Sequence, residues 1–238
     1  MKKAIIIGAS SGIGKALARI LAREGYAVGL VARRLPLLLA LQQEIGDTAF
    51  VKPIDISRTV DAMSRLSELI QQMGGVDLIV MSAGTGFINP GLDWDKENET
   101  IAVNVAGVAA MVNVAMHYFL EKGFGHVVNI SSIAALRGNR SAPAYGASKA
   151  FESNYMEGLR QKVAKLGLPI TITDIQPGFV DTAMAQGEHL FWVASPEKAA
   201  MQIYHAIQRK RKHTYVTRRW RLFAWLIKCL PDSLYHRL

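Results

Sequence analysis

Tyr145 and Lys149 stand four residues apart in Tyr145-Gly146-Ala147-Ser148-Lys149, a spacing that puts both side chains on one face of a helix. A phenol with its ordinary pKa near 10 is poorly placed to give or take a proton at pH 7. An ammonium about 4 Å away interacts with a phenolate by on the order of 4 kcal/mol at an effective dielectric of 20, equivalent to roughly 3 pKa units, so the pair could do acid–base work near neutrality. The same spacing also arises by chance, and its company decides. Near the start of the chain, Ala4-Ile5-Ile6-Ile7 runs into Gly8-Ala9-Ser10-Ser11-Gly12-Ile13-Gly14. A β-branched apolar run, a glycine-rich turn and then apolar residues at helical spacing (Ile13, Leu17, Ile20, Leu21) read as a buried strand, a tight turn and a helix. Open N–H groups at a helix start attract anions, and glycines let a pyrophosphate approach the backbone, so the stretch reads as a dinucleotide cradle. A plain structural turn is the alternative reading of the glycines alone.

Such groups need elements that hold them together. Apolar runs at 4–7, 26–32, 48–54, 76–82, 127–131, 170–175 and 214–217 alternate with helical patterns near 12–24, 36–45, 57–73, 94–120 and from Tyr145 onward. With 238 residues, half of them hydrophobic, this alternation predicts one α/β domain: a single-domain Rossmann fold, a doubly wound parallel β-sheet of about seven strands with helices on both faces. Residues 1–217 are read as the dinucleotide-binding catalytic domain and 218–238 as a basic, apolar helical tail. In dinucleotide folds an acid ending the second strand takes the ribose 2′-OH of NAD, whereas an arginine there suits the 2′-phosphate of NADP. Ala32 occupies the acid's place and is followed by Arg33 and Arg34. The residues therefore favour NADP(H), against the alternative of a solvated basic turn.

The chain resembles the short-chain dehydrogenase/reductase family in five motifs that fall in order between residues 7 and 182. Gly8-x-x-x-Gly12-x-Gly14 matches that family's nucleotide turn, with Ile7 where a threonine is usual. Met81-Ser82-Ala83-Gly84 is similar to its Asn-Asn-Ala-Gly and lacks both asparagines. Asn104 in Val103-Asn104-Val105-Ala106-Gly107 matches its helix-breaking asparagine, and Ser132, thirteen residues before Tyr145, its catalytic serine; Ser131 is the neighbouring alternative. Pro177-Gly178-Phe179-Val180-Asp181-Thr182 matches its nicotinamide turn. The resemblance implies that Gly8, Ser10, Ser11, Gly12, Ile13, Gly14, Arg33, Arg34, Ala83, Gly84, Pro177, Gly178, Val180 and Thr182 contact the cofactor. It also places Asp55 and Ile56 at the adenine, with a simple helix cap before Ser57 as the other reading of Asp55. Catalysis would fall to Asn104, Ser132, Tyr145 and Lys149, of which Asn104, Tyr145 and Lys149 would also meet the cofactor side. By resemblance, a carbonyl held by Ser132 and Tyr145 takes hydride from the nicotinamide and a proton from Tyr145. Lys149 would tune the phenol and bind the ribose, and Asn104 would hold a water that relays protons. The reverse reaction uses Tyr145 as base.

Composition bounds the remaining choices. Net charge is +9 with a pI near 9.7, yet residues 208–238 hold nine basic side chains against Asp232 alone, while the other 207 residues hold nineteen basic and eighteen acidic. The charge therefore describes the tail, and nucleic acid is not an expected partner of a neutral body without a recognition helix or RNA-binding aromatics. Cys229 is the only cysteine, which points to a reducing, cytoplasmic setting. No metal-ligand spacing links the six histidines, and no stretch reads as a signal peptide or a membrane span. Residues 183–196 are read as the substrate loop; Met184, Leu190, Phe191 and Trp192 make it apolar, which favours an apolar carbonyl or alcohol unless they merely pack on the body. Along the tail, Trp220, Phe223, Ile227 and Leu230 form one apolar stripe while Leu222, Trp225, Leu226 and Cys229 cover much of the rest. A second contact is expected there, either a subunit of a homo-oligomer or, given the flanking arginines, an anionic membrane surface. A non-catalytic nucleotide-binding sensor or scaffold is the rival reading for the whole chain.

Overall fold

Ile5, Ile6 and Ile7 are all fully buried, because their strand has neighbours on both edges and helices on both faces. Each such aliphatic side chain contributes about 1.5–3 kcal/mol on burial. The computed structural model describes residues 1–184 and 191–235. Its strands are β1 (Lys3–Ile7), β2 (Ala27–Ala32), β3 (Ala49–Pro53), β4 (Leu78–Met81), β5 (Gly125–Ile130), β6 (Ile170–Pro177) and β7 (His213–Val216). Among the described residues they form one sheet in the order β3-β2-β1-β4-β5-β6-β7, every pair parallel.

Alternate residues feed two cores. On one side Ile6, Leu30, Val80, Val128 and Ile175 meet α1 (Gly12–Arg23), α2 (Leu35–Ile45) and α7 (Pro196–Gln208). On the other, Ile5, Ile7, Val31, Ile79 and Val127 meet α3 (Thr59–Gln72), α5 (Val108–Lys122) and α6 (Pro143–Leu166). This is the expected doubly wound Rossmann arrangement. Strand order reverses between β1 and β4, and a crevice opens there beyond the carboxyl ends of the strands.

Two expectations need correction. The helical pattern near 94–120 is not one α-helix: α4 (Trp94–Ile101) passes into a π-helical turn at Ala102–Gly107 before α5 begins. Such a turn carries one residue more than α geometry allows and usually marks a functional constraint. The same stretch, Trp94–Lys122, is in fact long and apolar enough to cross a membrane by length and composition, with a mean hydropathy of 1.5 over its best window, but 56% of that window is buried within the protein. Its apolarity is that of a core helix packed on the sheet.

The tail folds back onto the body as α8 (Trp220–Cys229) and α9 (Asp232–Tyr235). Trp220 is 1% exposed, and its indole lies so close to the Pro177-Gly178 turn that a Cβ on Gly178 would come within 1.9 Å of the ring. Arg137, in the loop after β5, donates to the Leu230 carbonyl and to the Asp232 carboxylate. Tyr235 donates from its hydroxyl to the Gly138 carbonyl at 2.6 Å. These contacts pin the end of the described chain over the crevice.

Candidate active site

One continuous cleft of about 1770 Å³ runs from Arg33 and Arg34 at one end to Asp232 and Tyr235 at the other. Of the site residues singled out from the sequence, all but Gly14 and Asn104 line it. At the nucleotide end, Gly8 has φ +101, and a Cβ there would come within 2.5 Å of the Ala83 nitrogen. Only glycine lets the β1 turn lie against the exit of β4. Gly14 sits behind that turn and packs on the Gly8 carbonyl, so its part is to seat α1 rather than to face a ligand.

Ser11 precedes α1 yet makes no side-chain cap. Its hydroxyl is taken by Arg34, whose Nη2 donates to both Ser10 and Ser11 at 2.9 Å. The first-turn N–H groups of α1 are thereby left open beside Gly12 and Ile13 on the cleft wall, an arrangement that fits a pyrophosphate. Arg33 is exposed and lines the same end. Asp55 accepts from the backbone N–H and the hydroxyl of Ser57 at 3.1 and 2.7 Å; it both closes the turn toward α3 and faces the cleft.

At the middle of the cleft, Pro143 starts α6, and Tyr145 and Lys149 rise from one face of it. The Lys149 ammonium lies 5.9 Å from the centre of the Tyr145 ring. Gly86, which the sequence reading overlooked, is the floor beneath that ring: a Cβ there would stand 2.4 Å from Tyr145 Cδ2. Ser132 ends the segment after β5, and its hydroxyl oxygen accepts from the Ala134 N–H at 3.1 Å to cap a 3₁₀ turn at Ile133–Leu136. That bond occupies a lone pair and leaves the O–H free to donate into the cleft. Ser131 differs. Its hydroxyl donates to Asp174 at 2.7 Å and lies 3.1 Å from the Ser153 hydroxyl, inside a buried network.

Lys149 is 3% exposed and donates to Glu152 Oε1 at 2.8 Å and to the Ile130 carbonyl at 3.3 Å. Burial works against its charge, and Glu152, together with Tyr145 and Asp174, more than offsets this, so its pKa is held above that of an ordinary lysine. Glu152 is buried as well, and burial pushes its carboxyl up to about 7 in spite of the ammonium. A charged residue three positions after Lys149 was the sequence signal for this pair.

Asn104 is brought to the rear of the site, not to its wall. It is fully buried in the π-helical turn. Its Oδ1 accepts from the Thr85 N–H at 2.9 Å, and its Nδ2 donates to the Thr85 carbonyl at 2.7 Å and to Ser148 Oγ at 3.0 Å. Ser148 in turn donates to the Tyr145 carbonyl at 2.8 Å. The amide therefore fixes the Gly84-Thr85-Gly86 strip against α6 and has no donor left for another partner.

At the far end an apolar patch stands beside the polar groups of Arg137, Asp232 and Tyr235. Phe223 and Ile227 of α8 face the cleft beside Met184 and Phe191, and Phe191 packs on Trp220 and Phe223 with ring centres 5.2 and 5.8 Å apart. Trp192 lies outside the cleft, edge-on to Trp220 at 5.6 Å, and Leu190 falls outside the described residues.

The family model for short chain dehydrogenases matches residues 2–190. An uncharacterized oxidoreductase of Myxococcus xanthus is 34% identical over 98% of this chain and 94% of its own length. Among solved structures, an alcohol dehydrogenase of Thermococcus sibiricus complexed with 5-hydroxy-NADP is similar with a TM-score of 0.79 and 25% identity, covering 91% of this chain and 96% of that one. A 3-ketoacyl-(acyl-carrier-protein) reductase of Brucella melitensis complexed with NADH shares the fold, with a TM-score of 0.80 at 24% identity over 91% of this chain and 98% of that one.

The brace formed by Asn104 can be tested without any ligand. Asn104→Ala strips the Thr85 N–H and C=O of their partners, each worth about 1–3 kcal/mol when left unpaired. Urea denaturation should show a loss of about 2–4 kcal/mol; a loss below about 0.5 kcal/mol would show that the brace carries no weight.

Proposed function

The chain belongs to the short-chain dehydrogenase family, and we propose that it is an NADP(H)-dependent oxidoreductase that interconverts an apolar carbonyl compound and its alcohol. The observation that carries this reading is the meeting of Tyr145, Lys149 and Ser132 in the same cleft as the glycine turn and the arginine pair. A bound nicotinamide would supply or accept the hydride. Ser132, with its oxygen already accepting from Ala134, donates to the substrate carbonyl oxygen and polarises it. Tyr145 donates the proton to that oxygen in reduction and takes it back in oxidation. The Lys149 ammonium favours the phenolate that is left. Asn104 keeps Thr85 and α6 in register, so that Tyr145 stays seated on Gly86.

Cofactor preference follows from charge. Ala32 offers no carboxylate to repel a 2′-phosphate, Arg33 is open to the cleft, and Arg34 is already held across Ser10 and Ser11. The substrate preference we propose rests on the apolar patch of the far end, Phe191, Phe223, Ile227 and Met184, where the charges of Arg137 and Asp232 are paired with each other.

The outer face of α8 supports a membrane role for the tail. Trp220 and Ala224 are buried, while Leu222, Trp225 and Leu226 are 74%, 68% and 53% exposed. At 100° per residue, Arg221 and Lys228 stand at the edge of that face, and Arg218 is exposed just before the helix. Two copies meeting through it would bring these cations together, whereas an anionic bilayer takes both the aromatic residue and the charges. An anionic membrane surface is thus the occupant we assign, with this chain's substrate pocket directly beneath the helix.

Tyr145→Phe keeps the ring and removes the hydroxyl; NADPH binding should survive while turnover falls at least 100-fold, and retained turnover would exclude Tyr145 as the proton donor. Arg33→Ala should weaken NADPH at least tenfold and leave NADH nearly unchanged; equal affinity of the unaltered protein for both would overturn the NADP(H) assignment. For the tail, Leu222→Ser with Trp225→Ser should abolish co-sedimentation with phosphatidylglycerol vesicles at unchanged solution mass. A drop in mass would instead identify a subunit contact.

A further inference from the structure

Behind the cleft lies a buried polar cluster that the reaction above leaves unused. Glu152 follows Lys149 by one turn of α6, and their side chains are 1% and 4% exposed. Glu152 Oε1 accepts from Lys149 at 2.8 Å and Oε2 from Asn129 Nδ2 at 3.0 Å. Asn129 reaches on to Asp174 at 3.5 Å. Asp174 also accepts from the hydroxyls of Ser131 and Ser153 at 2.7 and 2.8 Å and from Gln176 Nε2 at 3.4 Å. The charged and titratable groups around Glu152 are Lys149 and Tyr145 from α6 and Asp174 from β6, with His213 of β7 in register beyond Asp174. β5 contributes the neutral Asn129.

An ammonium has three N–H groups. Lys149 gives one to Glu152 and one to Ile130; among the described residues the third has no partner, and Nζ sits at the cleft wall, 3.2 Å from where a Cβ on Gly84 would stand. Two anchors from behind thus leave one donor for the cleft. An apolar side chain at 152 would leave the ammonium dry with a single carbonyl to hold it.

We propose that Glu152 is a positioning residue for proton transfer: it moors the Lys149 ammonium from behind and offsets part of the field that this ammonium exerts on Tyr145. This rests on the oxidoreductase reading. It adds a dependence on pH. With the Glu152 carboxyl raised to about 7 by burial, the offset is present above neutrality, where Glu152 is ionised. Below it, Glu152 carries its proton and Lys149 acts with undiminished charge.

Two measurements test this. In alcohol oxidation with NADP⁺, Glu152→Gln removes the opposing charge and should move the midpoint of the kcat–pH profile down by about one pH unit. Glu152→Asp keeps the charge at shorter reach and should hold the midpoint near the wild-type value while lowering kcat. A profile for Glu152→Gln that superposes on the wild type, or that falls in height with no shift, overturns the proposal. The second measurement needs neither substrate nor variant: infrared difference spectra of the wild-type protein between pH 6 and pH 8 should show one buried carboxylic acid ionising with a midpoint of about 7. Its absence overturns the proposal even if Glu152→Gln fails to fold. Absence of any turnover in the wild type alongside a titrating buried acid would count against the oxidoreductase reading alone.

Discussion

An ammonium taken out of water must be given back its hydrogen bonds and a counter-charge, and Lys149 is almost wholly buried. Much of the local structure answers that demand. The α6 side of β5 and β6 begins as an ordinary apolar core with Val127 and Ile172. Two residues later on each strand it becomes Asn129 and Asp174, then Ser131 and Gln176, the polar lining against which Lys149, Glu152 and Ser153 can be buried. Removing one member of such a pair typically costs 3–5 kcal/mol, because the other is left charged and unmatched. A polar strip along α6 is tolerated only because the sheet carries its complement.

The same helix face ties the site to the rest of the fold. Ser148 reaches back to the Tyr145 carbonyl and forward to Asn104, so that α6, the π-helical turn and the strip after β4 share one set of hydrogen bonds. The extra residue of the π turn places Asn104 where both its amide atoms can meet the backbone of Thr85. The distortion is local, and its stabilisation comes from a segment 19 residues earlier in the chain.

What could be read from the sequence was what depends on local period and spacing. The strands appeared as uncharged runs because a parallel sheet is covered on both faces, and Tyr145 and Lys149 were visible because four residues make one turn of helix. Gly14 and Asn104 were picked out for their residue type, but type does not say which way a group faces: one seats α1 and the other is spent on Thr85. The apolar periodicity of 94–120 runs through Asn104 without a break, so the only sign of an irregularity was the resemblance of Asn104 to a helix-breaking asparagine, and it did not say that the irregularity is a π turn. Glu152 was passed over because a glutamate on a helix is ordinarily a solvated one. The contact of Arg137 with Asp232 joins residues 95 positions apart, which no local pattern records.

The far wall of the cleft has a different standing from the rest. Ser132, Tyr145 and Lys149 stand on segments locked into the sheet, whereas the roof of α8 and α9 is held by the Trp220 indole against Gly178, Phe179 and Phe191, by Arg137 and by the Tyr235 hydroxyl. In the proposed reading, chemistry and specificity are borne by separable parts. Replacements at Phe223 or Ile227 alter the shape offered to a substrate and leave the proton-transfer groups where they are. A lineage of such chains can diversify in what it recognises by drift in α8 and α9, under no pressure to reinvent the reaction.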